Sequence, residues 1–337
     1  MDEIKLLKIK EGETWLKVPD LNVYKKPEYA PVFYNPEMAF DRNVSVEFLR
    51  IVKPKKVLDL LCGIGARGIR YAKEVGVNVI CNDACEKAIE IAKENAGING
   101  VEVEFSNEEA NRFLLKNMEK FEYIDIDPFG SPVYFLNNSF LRIIPKGGYL
   151  MCTATDTGTL CGKFAKRTFK RYFVKSGKNS AEHEIGVRTL IGCIVRFGLM
   201  YDISVKVQYA YARKHYYRVC VKTMGSKDLE KNMEKIGFYK GIGPIWLGEL
   251  GEKEIIEKLG EDKIFKYLKE ECEFEKPYVD IRKEFPKNPV KIEKVVETLK
   301  EQGYKASRTH FCPTGIKTDA SFEDLKKILE DLSEKGT

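Results

Sequence analysis

The chain is poor in the residues from which proteins usually assemble metal centres. It has three histidines, and its nine cysteines include no Cys-x-x-Cys pair. Cys81 and Cys85 flank an acidic residue and have no second pair to join, so no zinc-ligand spacing is present and no metal is expected. An odd, scattered set of cysteines reads as free thiols in a reducing compartment. No apolar run is long enough to cross a bilayer, and Met1-Asp-Glu-Ile-Lys5 does not read as a signal peptide. The expected location is therefore the cytoplasm, with no membrane association. Internal repeats and low-complexity tracts are also missing. Only two glutamines, Gln208 and Gln302, stand among many Lys and Glu, a composition associated with heat-tolerant proteins.

At 337 residues, 43% hydrophobic and 32% charged, the chain has the composition of a globular protein of about two domains. Residues 3 to 18 alternate apolar and polar around Glu11-Gly12 and predict a β-hairpin, part of an N-terminal extension over 1–36. A helix is expected over Phe40–Val52, stopped before Pro54. Strands then alternate with helices: 57–61, 77–82, 101–105, 121–126 and 149–154 as strands, with helices over 67–75, 86–96, 108–118 and 133–143. This alternation predicts a parallel, doubly wound sheet. Two more helices are expected near 163–174 and 181–201. Two strands, 203–211 and 215–223, joined by Ala212-Arg-Lys, then form an antiparallel hairpin. That ending departs from the all-parallel nicotinamide-binding sheet and is expected of a class I, Rossmann-like methyltransferase. The methyltransferase domain is expected to span 1–225. Beyond it, 226–337 reads as a smaller α+β domain with a Gly/Pro loop at Gly241–Gly248, a helix over 290–302, a strand over 304–310 and a helix over 322–332.

The strand ends carry the chemistry. Asp59-Leu-Leu-Cys-Gly63-Ile-Gly65-Ala-Arg-Gly68 follows the first core strand and opens a helix, so its glycines admit a ligand close to the backbone. The pattern alone is weak. Asp59 within it would repel a pyrophosphate but accept from an ammonium, and Asp83, after the second strand, stands where a ribose diol would sit. The bland readings are a strand-end carboxylate held by turn amides and a helix N-cap. Glu109-Ala110 after the third strand offers a carboxylate and an N–H to an adenine edge, or merely the first turn of a helix. Asp127-Pro128-Phe129-Gly130 ends the fourth strand. Alone it reads as a Pro turn; behind three ligand-suited strand ends it reads as a clamp for a planar amine. The acid and the Pro128 carbonyl accept N–H groups of an exocyclic base amine, and Phe129 stacks on the base. S-adenosylmethionine as methyl donor and an extruded base as acceptor follow from that combination.

Charge points to the same partner. From Lys163 to Lys222 fourteen Lys and Arg face three Asp and Glu, a local +11 in a chain of net +6. The stretch 163–178 contains seven cations and no acid, interleaved with Phe164, Phe169, Tyr172 and Phe173. Charge runs are usually solvated faces, but segregated basic residues with aromatics suit a nucleic acid. Lys163, Lys166, Arg167, Lys170, Arg171 and Lys175 are the candidate RNA contacts. On the residues alone an amino-methyltransferase acting on another RNA or on DNA is an open alternative. From other classes come a nicotinamide-dependent dehydrogenase, which the terminal hairpin argues against, and a catalytically silent RNA binder, which would transfer no methyl group despite an intact Asp127.

The set Phe33-Tyr-Asn-Pro-Glu-Met38, Leu58 to Gly68, Asp125-Ile-Asp-Pro-Phe-Gly-Ser-Pro132, Thr153-Ala-Thr-Asp156, His183-Glu-Ile-Gly-Val-Arg188, Gly243-Pro-Ile-Trp-Leu-Gly248 and Arg308 to Thr318 resembles the tRNA (guanine(26)-N(2))-dimethyltransferase family. The motifs occur in order from about Tyr29 to Thr318. The resemblance implies mono- then dimethylation of guanine N2 in tRNA, with S-adenosylmethionine as cofactor. It implies cofactor contacts from Arg42, Arg67, Asp83 and Glu109-Ala110 and a catalytic role for Asp127. Position and charge give the C-terminal domain a tRNA-docking role, and no obligate protein partner is implied. Three departures stand out: Asp41-Arg42-Asn43 where the family often has Asn-Arg-Asp, Glu109 where Asp is common, and no cysteine from Gly225 to Gly243, where some members carry a four-cysteine zinc site.

Overall fold

The computed structural model describes residues 4–286 and 290–334. The chain begins with an antiparallel hairpin, β1 (Leu6–Glu11) and β2 (Thr14–Pro19), then α1 (Leu21–Tyr24) and α2 (Ala39–Val52). The alternating run follows as β3 (Lys56–Asp59), α3 (Ala66–Val75), β4 (Asn78–Asn82), α4 (Glu86–Asn99), β5 (Glu104–Ser106), α5 (Ala110–Lys116), β6 (Tyr123–Ile126), α6 (Val133–Arg142) and β7 (Lys146–Ala154). Next come α7 (Thr157–Leu160), α8 (Ala165–Tyr172), α9 (Glu182–Leu199), β8 (Ser204–Arg213) and β9 (Tyr216–Gly225). The last third holds α10 (Leu229–Glu234), β10 (Ile236–Tyr239), β11 (Ile242–Trp246), α11 (Lys253–Ile256), α12 (Lys263–Glu271), β12 (Val279–Asp280), α13 (Ile281–Glu284), α14 (Ile292–Glu301), β13 (Ala306–Arg308), β14 (Gly315–Thr318) and α15 (Phe322–Glu334).

The main sheet has seven strands in the order β5-β4-β3-β6-β7-β9-β8. The pairs β4–β5, β3–β4, β3–β6 and β6–β7 are parallel. Only Lys214 and His215 separate β8 from β9, and a link that short can join only antiparallel neighbours. Lys214 takes a left-handed φ of 49° to make the turn. The expected mixed sheet with its antiparallel ending is therefore present.

Contacts divide the chain into two units. The first holds residues up to Pro128, Tyr134–Thr153 and Lys222–Gly225. Within it, the N-terminal hairpin packs Leu16 and Val18 with Ile64, Ala66, Ala88 and Ile91 into one apolar cluster. Strand β2 would expose backbone groups at its edge, and two amides on α4 satisfy them. Asn95 and Asn99 accept from the Lys17 and Trp15 N–H groups at 2.6 and 2.9 Å and donate back to the same residues' carbonyls. Asn95 also donates to the Ile64 carbonyl, so the hairpin and the glycine loop share one anchor.

The second unit holds Phe129–Val133, Ala154–Val221 and the described residues from Ser226 onward. A small three-stranded sheet, β12-β14-β13, is covered by α14 and α15 through Val295, Leu299, Ile316, Leu325 and Leu329. The segment expected as a Gly/Pro loop is instead strand β11, paired antiparallel with β10; Gly243 and Pro244 read as breakers but sit inside it across a cis bond. Three of the motifs that carry the resemblance meet in one structural hub. Arg188 is fully buried and donates to the Trp246, Gly248 and Phe274 carbonyls, while Glu184 accepts from Arg188, Lys317 and the Tyr278 N–H.

Candidate active site

Strand order reverses at β3, with β4 and β5 on one side and β6 on the other, and ligands of open α/β sheets bind at the carboxyl end of such a point. Asp59 ends β3 in register with Asp125 of β6, and Asp127 follows directly. Arg67, near the start of α3, gathers these acids. Its Nη2 lies 2.5 Å from Asp127 Oδ2 and 2.8 Å from Asp41 Oδ2. Its Nη1 donates to Ser45 Oγ at 2.9 Å and is 3.8 Å from Asp125 Oδ2. Asp41 and Ser45 reach it together because they lie one helical turn apart on α2. Tyr71 donates to Asp125 at 2.9 Å.

Three carboxylates thus lie within 3.8 Å of one guanidinium and Asp59 adds a fourth charge nearby, a balance suited to a further cation. The protein registers the imbalance at Asp59. Burial and the neighbouring Asp125 charge push its carboxyl up to about 7, against the pull of Arg67. The expectation that Asp59 accepts directly from a ligand meets an obstacle: the residue is 1% exposed, and its Oδ2 takes the Gly68 N–H at 3.0 Å. As placed, its reach beyond the turn is through charge alone.

The glycine loop is built as its sequence requires. Gly63 and Gly65 have φ of +54° and +75°, which other residues adopt only with strain. At Gly68 the reason is space, since a Cβ there would lie 2.3 Å from Cys81 Sγ. The Gly63 N–H donates to Asp83 Oδ2 at 2.8 Å and the Cys85 N–H to Oδ1 at 2.9 Å, fixing a half-buried carboxylate at the end of β4. Glu109 caps α5, accepting from the Asn111 and Arg112 amides at 3.0 and 2.9 Å. Its side chain is committed there, and the Ala110 N–H is the leading helix amide it does not serve. The loops are tied to one another: Leu60 N–H to Asp125 O, Cys62 N–H to Asn82 O, and Asp83 N–H to Ser106 O.

Arg42 lies apart from the acid cluster. It is buried, stacked over the Tyr34 ring at 5.0 Å and bound through Nε and Nη2 to Glu11, both at 2.6 Å. Burial would raise the Glu11 carboxyl, but Arg42 and Arg70 hold it down at about 2. Among the described residues Arg42 Nη1 has no protein partner, so it alone is available to a ligand. The order Asp41-Arg42-Asn43 also has a structural meaning, with Asp41 taking Arg67 and Asn43 taking Arg70 at 2.7 Å. Sequence reasoning missed Asp41, Ser45, Tyr71 and Asp125. The i, i+4 pair Asp41/Ser45 and the alternate acids Asp125/Asp127 were the available signals.

Pro128 is buried and Phe129 is 73% exposed. In the second unit, Lys163, Lys166, Arg167, Lys170 and Lys175 are all exposed, with Phe164, Phe169 and Phe173 exposed between them. None of those five cations has an acidic partner among the described residues, although Arg167 stacks over Phe164. Arg171 differs from the expectation: its Nη1 is bound to Asp156 Oδ2 at 2.6 Å, so it faces inward.

A family profile described as N2,N2-dimethylguanosine tRNA methyltransferase matches residues 12–241 and 230–330. The tRNA (guanine(26)-N(2))-dimethyltransferase of Thermococcus kodakarensis is 33% identical, the alignment covering 98% of this chain and 100% of that protein. That of Pyrobaculum arsenaticum is 35% identical over 95% and 97% of the two chains. Among solved structures, Trm1 from Pyrococcus horikoshii in complex with S-adenosyl-L-methionine superposes with a TM-score of 0.88 at 31% identity, covering 96% of this chain and 99% of that one. The acid-lined switch point, the Asp-Pro-Phe-Gly strand end and these full-length likenesses agree: the chain belongs to the N2,N2-dimethylguanosine tRNA methyltransferase family.

Proposed function

We infer that the protein transfers methyl groups from S-adenosylmethionine to the exocyclic N2 of guanine 26 in tRNA, giving N2-methyl- and then N2,N2-dimethylguanosine. The observation that carries the reading is the partly exposed Asp127 carboxylate, held just past the end of β6 by Arg67 beside a cluster of buried acids. The residues present fit S-adenosylmethionine. Its cationic groups suit the summed negative charge of Asp41, Asp59, Asp125 and Asp127, of which Asp127 alone is partly exposed. A diol suits Asp83, and an adenine edge suits the Ala110 amide, while Gly63 and Gly65 keep the backbone close. When bound, it supplies an already activated methyl group.

The chain's own contribution is position. Arg67 engages Asp127 Oδ2, which orients the carboxylate and leaves Oδ1 to accept an N–H from the target amine. The Pro128 carbonyl supplies a second acceptor. Two accepted hydrogen bonds draw the amine nitrogen out of conjugation with the ring and expose its lone pair, and alignment supplies much of the rate. The proton the nitrogen sheds on each transfer passes to Asp127 Oδ1 and on to solvent; after the first transfer the nitrogen keeps one N–H, which either acceptor can hold for the second. Phe129 stacks on the extruded base, a step that costs a few kcal/mol of lost stacking. Lys163, Lys166, Arg167, Lys170 and Lys175 hold the RNA backbone, the division of labour expected between phosphate contacts and base contacts. The same proposal places the methyltransferase domain over 1–225, a tRNA-docking role in 226–337, and the protein in the cytoplasm; among the described residues no helix is long and apolar enough to cross a membrane.

A tRNA transcript with inosine at position 26, which lacks the exocyclic amine, tests the acceptor. The expected result is methylation of the guanosine transcript and none at position 26 of the inosine one. Equal methyl incorporation into both refutes N2 of guanine 26 as the target.

A further inference from the structure

Asp156 stands at the N-terminus of α7, where an aspartate ordinarily caps the helix, yet its side chain makes no cap hydrogen bond. It is spent elsewhere. Oδ2 accepts from Arg171 Nη1 at 2.6 Å, and Oδ1 accepts from the Tyr172 hydroxyl at 2.8 Å. Tyr172 is fully buried, and its oxygen lies 2.6 Å from Ser131 Oγ. With its single proton given to Asp156, Tyr172 accepts from Ser131. A directed chain therefore runs Ser131 to Tyr172 to Asp156. Ser131 lies two residues beyond Phe129. The backbone of the same loop is tied to the residue beside Asp156: the Gly130 N–H donates to Thr155 Oγ1 at 2.7 Å, and the Thr155 N–H donates to the Gly130 carbonyl at 2.8 Å.

Helix α8 thus has two distinct faces. Lys166, Phe169 and Lys170 are exposed, while Thr168 and Tyr172 are buried one turn apart. Thr168 fastens the helix to the Thr159 carbonyl at 2.5 Å. An apolar side chain at position 172 would hold the helix down equally well; a buried hydroxyl needs partners, and it finds them on the loop that carries Phe129.

We propose that Asp156 and Tyr172 are positioning residues that couple the RNA-bearing helix α8 to the Phe129–Ser131 loop, so that the backbone-gripping cations and the base-stacking ring keep a fixed spacing. The proposal rests on the methyltransferase reading above. It requires that the link act on the rate of transfer from a bound complex, and that binding of either substrate depend little on it. A misplacement of about 1 Å at a reacting centre costs on the order of 100-fold in rate.

The test uses Tyr172→Phe, which removes the linking hydroxyl and keeps the ring, and Ser131→Ala, which cuts the same link from the loop side. Methyl transfer is measured under single-turnover conditions with enzyme and S-adenosylmethionine in excess over tRNA. Both dissociation constants are measured separately. The single-turnover rate constant should fall about 10- to 100-fold in each variant, with both dissociation constants within about threefold of wild type. The double variant should be no slower than the slower single one, because both cut one chain. A rate constant within twofold of wild type in either single variant overturns the proposal. So does a loss explained by a smaller active fraction turning over at the wild-type rate constant, the signature of a purely structural role. Failure of the wild-type protein to methylate tRNA refutes the underlying reading, and is separate from the variant-to-wild-type ratio.

Discussion

Replacing Asp59 by asparagine should stabilise the ligand-free protein in alkaline solution far more than in acid. The carboxyl stands at about 7 in the fold against an ordinary 3.8, because it is buried and faces the Asp125 charge. Between those values the unfolded chain has released the proton and the fold still holds it. Stability therefore falls as pH rises from the lower value to the higher, and is constant beyond. The gap of about three units corresponds to about 4 kcal/mol. Roughly a third of that is already lost at about pH 5, so the variant's advantage should grow by about 2–3 kcal/mol between about pH 5 and pH 8.5. Asparagine keeps an oxygen for the Gly68 N–H that Asp59 now accepts, so the turn is preserved. Urea unfolding of both proteins at the two pH values measures the difference. A stability difference that is the same at both refutes the account of an overcharged acid cluster. Saturating S-adenosylmethionine should narrow the alkaline gap, since its positive charge offsets the cost of ionised Asp59.

Three further outcomes follow from the site. Asp127→Ala should slow methyl transfer by at least about 100-fold while S-adenosylmethionine binding, followed by calorimetry, survives; wild-type-like transfer would remove the catalytic assignment. Arg67→Met leaves Asp41, Asp125 and Asp127 without their shared cation and should destabilise the fold by about 3–5 kcal/mol in denaturant titrations, the usual cost of orphaned buried charge. Replacing Lys166, Lys170 and Lys175 together by alanine should weaken tRNA binding and lower the slope of log affinity against log salt by about 2–3, with S-adenosylmethionine affinity unchanged; an unchanged slope would take the RNA backbone off this segment.

Much of the fold was legible because it is periodic. The apolar strands and amphipathic helices of residues 56–154 carry their spacing openly, and the terminal hairpin was marked by its short turn. What escaped was set by distant contacts. Strand β11 contains Gly243 and Pro244 and looks like a loop until its pairing with β10 is seen. Strand β14 is only four residues long and lies in a stretch the sequence did not mark as a strand.

The site divided in the same way. Gly63, Gly65 and Asp83 announce themselves by their place after strands, because the backbone conformation needed there restricts residue choice. Arg67 and Arg42 carry no local signal, and only the family likeness singled them out. Their partners, Asp127 and Asp41 for one and Glu11 for the other, come from different elements. Arg171 was indistinguishable from its cationic neighbours in sequence, and only the position of Asp156 turns it inward.

The central claim is chemical, and one measurement addresses it directly. The purified protein is incubated with isotopically labelled S-adenosylmethionine and an unmodified tRNA transcript, and the digested nucleosides are identified and mapped. The account predicts label in N2-methylguanosine early and N2,N2-dimethylguanosine later, both at position 26. Label in any other nucleoside, or none in guanosine N2, would contradict it.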